Sequence, residues 1–270
     1  MVAFNNRVME QEQFWLSKLG GEFIPSMVPT DYPYVGQTKC KASLQVSIEQ
    51  EISDRLIQVC KNSDLLLYTF LLATAKIWLH KYTQQTEVCV GAPNLSPSTR
   101  LVPIVSNPDP HLISKQFIID VKQSLTESYK NQDYPLHHIY EKLDINPQGS
   151  ISPFINVVVA FDRIHDREFV VAQEVDLLLL FSKSDHSLQV NLYYDKAVYE
   201  SRTLERFFTH YINILRMIVT NVNISISEIE LMNEDEKAQL TFFLKHLNLT
   251  QRMNWFIKYL RKKLNNTQIK

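Results

Sequence analysis

Apolar and polar positions recur along the chain with two different periods, which predicts a mixture of helices and strands. A helical period marks residues 8–19, 48–62, 114–130, 202–221 and 234–247. Residues 65–82 are apolar nearly all round, which indicates a helix buried in the core. Strand patterns fall at 41–48, 87–92, 154–162, 174–182 and 187–194. Residues 94–110 are rich in proline and indicate an irregular loop.

The central strand is predicted at residues 154–162, FINVVVAFD, because a continuous β-branched run is typical of a strand covered on both faces. Four or five strands interleaved with helices predict an α/β chain of the α+β sandwich type. Its expected architecture is a central mixed sheet with helices packed on it.

Composition excludes several classes of function. The 28 basic and 29 acidic residues give a net charge of −1, so we expect no nucleic-acid partner. Three cysteines without CxxC spacing argue against a structural zinc site, and five glycines form no nucleotide-binding motif. The apolar runs are shorter than the roughly 20 residues that span a bilayer, and no signal peptide is visible. We therefore expect a cytoplasmic protein without a membrane segment, a metal or a cofactor of its own.

Six segments, in order, resemble the C-terminal half of a nonribosomal peptide synthetase condensation domain. They are residues 13–33 (QFWLSKLGG through PTDYP), 69–93, 129–143 (YKNQDYPLHHIYEKL), 152–162 (SPFINVVVAFD), 176–215 and 230–240 (ELMNEDEKAQL). The resemblance covers roughly residues 10–240. It implies a single lobe of the chloramphenicol-acetyltransferase-like fold, in which two lobes form a V around the active site.

The family's catalytic motif HHxxxDG belongs to the N-terminal lobe, which the resemblance places before residue 10. The histidine pair of this chain, His137-His138, continues with Ile139 to Lys142, so lysine stands where the motif needs aspartate. We therefore interpret both histidines as structural. The family's long segment ending in GFFVNT, the floor of its reaction tunnel, is shortened here to residues 94–107.

Other candidate residues are few. Asp162 ends the central strand, where the family often has asparagine near the tunnel, and is a candidate tunnel-facing residue. Asp185, His186 and Ser187 include the residue types of a hydrolase triad, but adjacent residues in a turn point in different directions. Cys89 lies in an apolar strand and is expected to be an inert thiol.

The C-terminal segment is basic from Lys237 onward, with no acidic residue and an aromatic stripe at helical spacing. Such a helix fits an acidic partner or an anionic membrane surface, and the alternative is a helix packed on its own lobe. Carrier proteins of assembly lines are typically acidic, which favours docking there. The candidate docking residues are Trp255, Lys258, Tyr259, Arg261 and Lys262.

These observations divide the chain into an N-terminal helix with extended linker (1–35), a condensation-domain C-terminal lobe (36–232) and a basic amphipathic helical tail (233–270). We expect a non-catalytic partial condensation domain that acts as an interaction or scaffolding piece in nonribosomal peptide biosynthesis. A lobe without its mate should expose apolar surface, so the expected partners are a synthetase, a carrier protein bearing phosphopantetheine, or a second copy.

Two alternatives stay open. One is an acyl or peptidyl transferase that a partner chain or a homodimer crevice completes. The other is a truncated gene product without function, against which the regular helical pattern through residue 264 argues.

Overall fold

A computed structural model describes residues 2–21, 26–33, 40–95, 100–145, 153–184 and 187–246. The chain forms two compact units, residues 1–229 and residues 230–270. The larger unit is built around one six-stranded mixed sheet, which confirms the predicted fold class.

The strands are β1 (Lys41–Ser47), β2 (Val88–Pro93), β3 (Leu101–Ser106), β4 (Val157–Phe161), β5 (Leu177–Lys183) and β6 (Leu188–Asp195). Their order across the sheet is β1-β6-β5-β4-β2-β3. β2, β4 and β5 run parallel, whereas β1, β6 and β3 pair antiparallel with their neighbours. β4 is fully buried, as its continuous apolar sequence predicted. A Cβ atom at Gly91 would lie 2.5 Å from Ile155 Cγ2, so only glycine lets β2 approach this closely.

The helices of the larger unit are α1 (Val2–Leu19), α2 (Gln50–Val59), α3 (Asp64–Thr83), α4 (Ser114–Lys130), α5 (Leu136–Lys142), α6 (Arg167–Ala172) and α7 (Ser201–Thr220). Ser63 caps the start of α3, where its side chain accepts the Leu66 N–H, and Gln84 caps the end with a left-handed φ of 59°. The buried helix that the sequence predicted is therefore present. Lys76 lies within this helix and is fully buried, although lysine is a charged residue type.

The two faces of the sheet differ in polarity. Phe181 on β5 contacts Tyr211 on α7, which marks the face that helices cover. Along β6 this face buries every second residue, and the predicted alternation of Leu188, Val190, Leu192 and Tyr194 is confirmed. The opposite face carries half-buried Gln189, Asn191 and Tyr193 on β6 and exposed Ser43, Gln45 and Ser47 on β1.

Two elements correct the sequence prediction. The loop predicted at 94–110 contains β3, so the sheet has six strands instead of four or five. β3 is the outermost strand beside β2, and an edge strand tolerates Pro103 because one of its sides makes no ladder hydrogen bonds. The short helix α6 was missed, and the Asp166 side chain caps it by accepting the Phe169 N–H.

The segment before β1 supplies a cap for α7. Glu200 occupies the N-cap position of α7 without a side-chain cap of its own. The Asp31 carboxylate instead accepts hydrogen bonds from the Glu200 N–H (2.9 Å) and the Thr203 hydroxyl (2.9 Å). The Val198 carbonyl oxygen in turn accepts the N–H groups of Asp31 and Tyr32. The PTDY sequence therefore ties the linker to the start of α7.

We expect Asp31→Ala to lower the free energy of unfolding by about 1–2 kcal/mol, because an N-terminal donor of α7 loses its acceptor. Asp31→Asn retains one acceptor oxygen and should lose less. Chemical denaturation monitored by circular dichroism measures both. Equal stability of Asp31→Ala and the parent chain would contradict this capping role.

The smaller unit begins with α8 (Glu234–His246). The Asn233 side chain accepts the Glu236 N–H (2.8 Å), while the Glu236 carboxylate accepts the Asn233 N–H (3.0 Å). This reciprocal pair is a capping box and explains why the helix begins here.

Candidate functional site at the carboxyl edge of the sheet

The parallel strands β2, β4 and β5 all end at one edge of the sheet, called here the carboxyl edge. In open α/β sheets, ligands usually bind outside the carboxyl ends of the strands. The polar residues that the structure gathers at this edge come from the strand ends, α3 and α4: Asp64, Tyr68, Tyr129, Asp162, Arg163, His165, Ser182 and Lys183.

A chain of hydrogen bonds fixes His165 behind the end of β4. The Phe161 N–H donates to His165 Nδ1 (3.0 Å), so Nε2 carries the ring proton and donates it to the Tyr129 hydroxyl (3.1 Å). The Tyr129 hydroxyl then donates to the Pro93 carbonyl oxygen at the end of β2 (3.0 Å). The ring of Tyr68 packs edge-on against His165, with centroids 4.7 Å apart. The network joins β2, β4, α3 and α4.

Burial keeps this network neutral. It lowers the pKa of His165 from 6.5 to about 4, because the imidazolium ion would lose its hydration. Burial also raises the pKa of the Tyr129 and Tyr68 hydroxyls above their usual value. Since His165 Nδ1 already accepts a backbone proton, the ring has no free lone pair for a substrate proton. His165 therefore acts as a structural link and does not offer a general base.

Asp162 and Ser182 have buried oxygen atoms without a hydrogen-bond partner at the same edge. Asp162 Oδ1 and Ser182 Oγ are the two such atoms found at the ends of β4 and β5. The Asp162 N–H donates to the Phe181 carbonyl oxygen (3.0 Å), and the Phe161–Phe181 register places Asp162 beside Ser182. The sequence placed Asp162 at a strand end, as observed. Its position beside a tunnel stays a prediction.

A small charge cluster lies at the same end of β5, where Lys183 follows Ser182 in the chain. The Asp64 carboxylate lies 3.2 Å from Lys183 Nζ and 3.7 Å from Arg163 Nε. Asp64 opens α3, where the helix dipole favours a negative charge. Cys60 is also buried, and burial raises the pKa of its thiol to about 12, which makes it a poor nucleophile.

Lys76 is a buried lysine of the core that was not predicted as a site residue. Its ammonium group donates to the carbonyl oxygens of Val88 (2.8 Å) and Ile104 (2.5 Å), and so links α3 to β2 and β3. Burial lowers its pKa from 10.5 to about 7. Cys89 is fully buried as predicted, and burial raises the pKa of its thiol to about 12.

The histidine pair lies elsewhere. His137 and His138 are exposed on α5, and His138 Nδ1 lies 3.5 Å from the Glu141 carboxylate. His138 lines a groove of about 710 Å³ between α1 and α5, together with Glu12, Tyr134 and Lys142. The Glu12 carboxylate accepts a hydrogen bond from the Tyr134 hydroxyl (2.7 Å) and forms an ion pair with Lys142. The negative charge of Glu12 is therefore already paired within the groove.

Some predicted residues fall outside the described part of the chain. Asp185 and His186 are among them, although Ser187 accepts the Ser184 N–H in the turn between β5 and β6. The candidate docking residues Trp255, Lys258, Tyr259, Arg261 and Lys262 also lie outside it. Within the described ranges, no group of three or more His, Cys, Asp or Glu side chains could hold a metal ion. No described helix is long and apolar enough to cross a membrane.

Comparison with known proteins identifies the family. The family model of the condensation domain matches residues 2–96 and 98–241, and the chain therefore belongs to this family. It is 28% identical over 258 residues to gramicidin S synthase 2 of Brevibacillus brevis, covering 86% of the chain but only 6% of that protein. The fold is thus that of a condensation domain from nonribosomal peptide synthesis.

Solved structures of low sequence identity share this fold, and two of them illustrate it. One is a four-domain nonribosomal peptide synthetase bound to AMP and glycine, with a TM-score of 0.74 and 17% identity over 84% of this chain and 20% of the other. The second is the X-domain in complex with OxyB from teicoplanin biosynthesis, with a TM-score of 0.72 and 17% identity. That match covers 85% of this chain and 56% of the X-domain chain.

Proposed function

We propose that this chain acts as a non-catalytic interaction piece of nonribosomal peptide assembly. The observation that carries the proposal is the state of His165, the histidine that the structure places at the carboxyl edge. Both of its ring nitrogens are committed to hydrogen bonds within the fold. The 270 residues also contain no HHxxxDG motif.

A comparison supports the interaction half of this proposal. The X-domain, which shares the fold over 85% of this chain, was solved as a complex with OxyB. A fold of this kind therefore presents a surface that a second protein binds. For this chain the proposed partners are a synthetase or a carrier protein whose phosphopantetheine arm bears the substrate, and the proposed location is the cytoplasm. The tail residues from Trp255 to Lys262 are proposed as the docking element.

Asp162 favours a second candidate function. Its Oδ1 atom is buried without a hydrogen-bond partner at the carboxyl edge, so this carboxylate is available to a group that donates a hydrogen bond. In that case the chain is an acyl or peptidyl transferase, completed by a separate lobe with HHxxxDG or by a second copy.

The two functions make different predictions in a condensation assay with two carrier proteins loaded with aminoacyl thioesters. We expect the chain alone to bind a carrier in a calorimetric titration and to form no dipeptide above the buffer rate, as read by chromatography. Dipeptide formation after addition of a separately expressed HHxxxDG lobe, and its loss in Asp162→Asn, would support the transferase. Turnover by the chain alone would contradict a non-catalytic function. Absence of carrier or synthetase binding would contradict the interaction.

A further inference from the structure

Among the residues that the structure describes, β1 is an outermost strand of the sheet and pairs with β6 alone. The Ile48 N–H donates to the Leu188 carbonyl oxygen (3.0 Å), and the Lys196 N–H donates to the Cys40 carbonyl oxygen (2.9 Å). In an antiparallel pair, residues alternate between bonding their partner strand and facing away from it. The even-numbered residues of β1 therefore bond β6. The outward backbone groups belong to Lys41, Ser43, Gln45 and Ser47.

Exposure is high along this strand. Every one of the four outward residues is exposed, although they lie in a regular strand. The alternate residues, Ala42, Leu44 and Val46, are only half-buried on the helix-covered side of the sheet. The opposite edge differs, because the four central residues of β3 are buried. Within the described ranges, β1 thus combines outward backbone donors and acceptors, which pair with no other strand, with incompletely covered apolar side chains.

We propose that β1 pairs antiparallel with β1 of a second copy of this chain, which joins two six-stranded sheets into one. The sequence selects a two-fold register centred on Leu44, which then faces its own equivalent. In this register Ala42 faces Val46, so the half-buried apolar residues cover one another. Ser43 faces Gln45 and Lys41 faces Ser47, and these outward residues exchange the backbone hydrogen bonds.

Charge and chemistry favour a second copy over a different protein. Lys41 is the one charged residue of β1, and this register sets it opposite a serine, so two copies meet without like-charge contact. Its ammonium group already donates to the Val171 carbonyl oxygen of its own α6 (3.0 Å). An edge strand that avoids association usually carries several charges, a proline or a bulge, and β1 has one lysine. A two-fold axis requires a self-complementary surface, and β1 meets this requirement.

Light scattering over a concentration series tests the proposal with a matched pair of variants. Ser43→Pro removes an outward N–H that the isolated fold does not use, whereas Ser43→Ala keeps it. We expect the parent chain and Ser43→Ala to dimerise, and Ser43→Pro to dimerise at least roughly tenfold more weakly, because each dimer loses two hydrogen bonds. Circular dichroism confirms that the variants keep their fold.

A charge pair at the end of the strand tests the register. Ser47→Lys sets an introduced lysine opposite Lys41 of the other copy and should weaken dimerisation roughly tenfold, whereas Ser47→Glu should strengthen it. A dimer that none of these changes alters would use another surface and would overturn the proposal. A monomer at all concentrations would also overturn it and leave the edge to a strand from another protein. Carrier binding is measured separately, so this proposal and the proposed function can fail independently.

Discussion

Lys76→Ala is expected to lower the free energy of unfolding by about 3–5 kcal/mol at pH 8. The substitution removes the four-carbon stem from the interior of α3 and leaves the carbonyl oxygens of Val88 and Ile104 without their donor. Lys76→Met keeps most of the stem volume and should lose less, so the difference between the two variants separates packing from hydrogen bonding. Urea denaturation measures both.

The pH dependence distinguishes a buried amine from ordinary packing. The folded pKa of Lys76 is lowered to about 7, whereas the unfolded chain has a pKa near 10.5. The unfolded state therefore binds more protons between these values, and stability rises with pH in this window. From pH 7 to pH 8.5 the gain should be about 1.5 kcal/mol, and Lys76→Met should lack it. The same pH slope in parent and variant would contradict the assignment.

The core of the fold was predictable because its signals are local. α3 is apolar on every side, β4 is a continuous β-branched run, and β6 alternates with period two. Each pattern is contained in its own segment: the length of the apolar run and the β-branched residues separate α3 from β4, and the two-residue alternation marks β6 as a strand. The family resemblance added the order of these elements, which periodicity does not contain.

The two elements that were not predicted carry weak hydrophobic patterns of their own. β3 begins shortly after a proline-rich stretch and contains Pro103, so its sequence favours a loop until β2 provides a partner. α6 has six residues, and such a short helix needs the Asp166 cap and packing on the sheet. Neither the pairing of β3 with β2 nor the cap of α6 produces a hydrophobic period in the sequence.

The candidate site was predictable only at Asp162. A polar residue directly after a buried strand marks a strand end, and the structure places it there. His165 lies in a polar turn, and its partner Tyr129 is 36 residues away, so the sequence around either residue gives no sign of their hydrogen bond. Lys76 did give a signal, because one lysine interrupts an apolar helix at LLATAKIWL. A lysine there either reaches solvent or is buried, and only the structure decides.

The carboxyl edge and the β1 edge would use different chemistry in assembly. Side chains dominate the carboxyl edge, where Asp162 and Ser182 have unpartnered oxygen atoms and Arg163 and Lys183 pair with Asp64. At β1 the backbone offers the donors and acceptors, and the side chains set only the register. A dimer that forms through β1 would not involve the carboxyl edge of either copy. Self-association through β1 therefore leaves Asp162 and Ser182 outside the dimer contact.

Acidification should destabilise the chain through His165. Its pKa is lowered from 6.5 to about 4 by burial, so the unfolded state binds more protons between these values. Stability from this residue is fully present above pH 6.5 and falls as the pH decreases toward 4, by about 3 kcal/mol in total. His165→Asn should remove this part of the acid dependence, whereas the exposed His111→Gln should leave it unchanged. Thermal unfolding between pH 4 and pH 7 compares the three proteins, and parallel curves for the parent chain and His165→Asn would refute a buried neutral imidazole at the carboxyl edge.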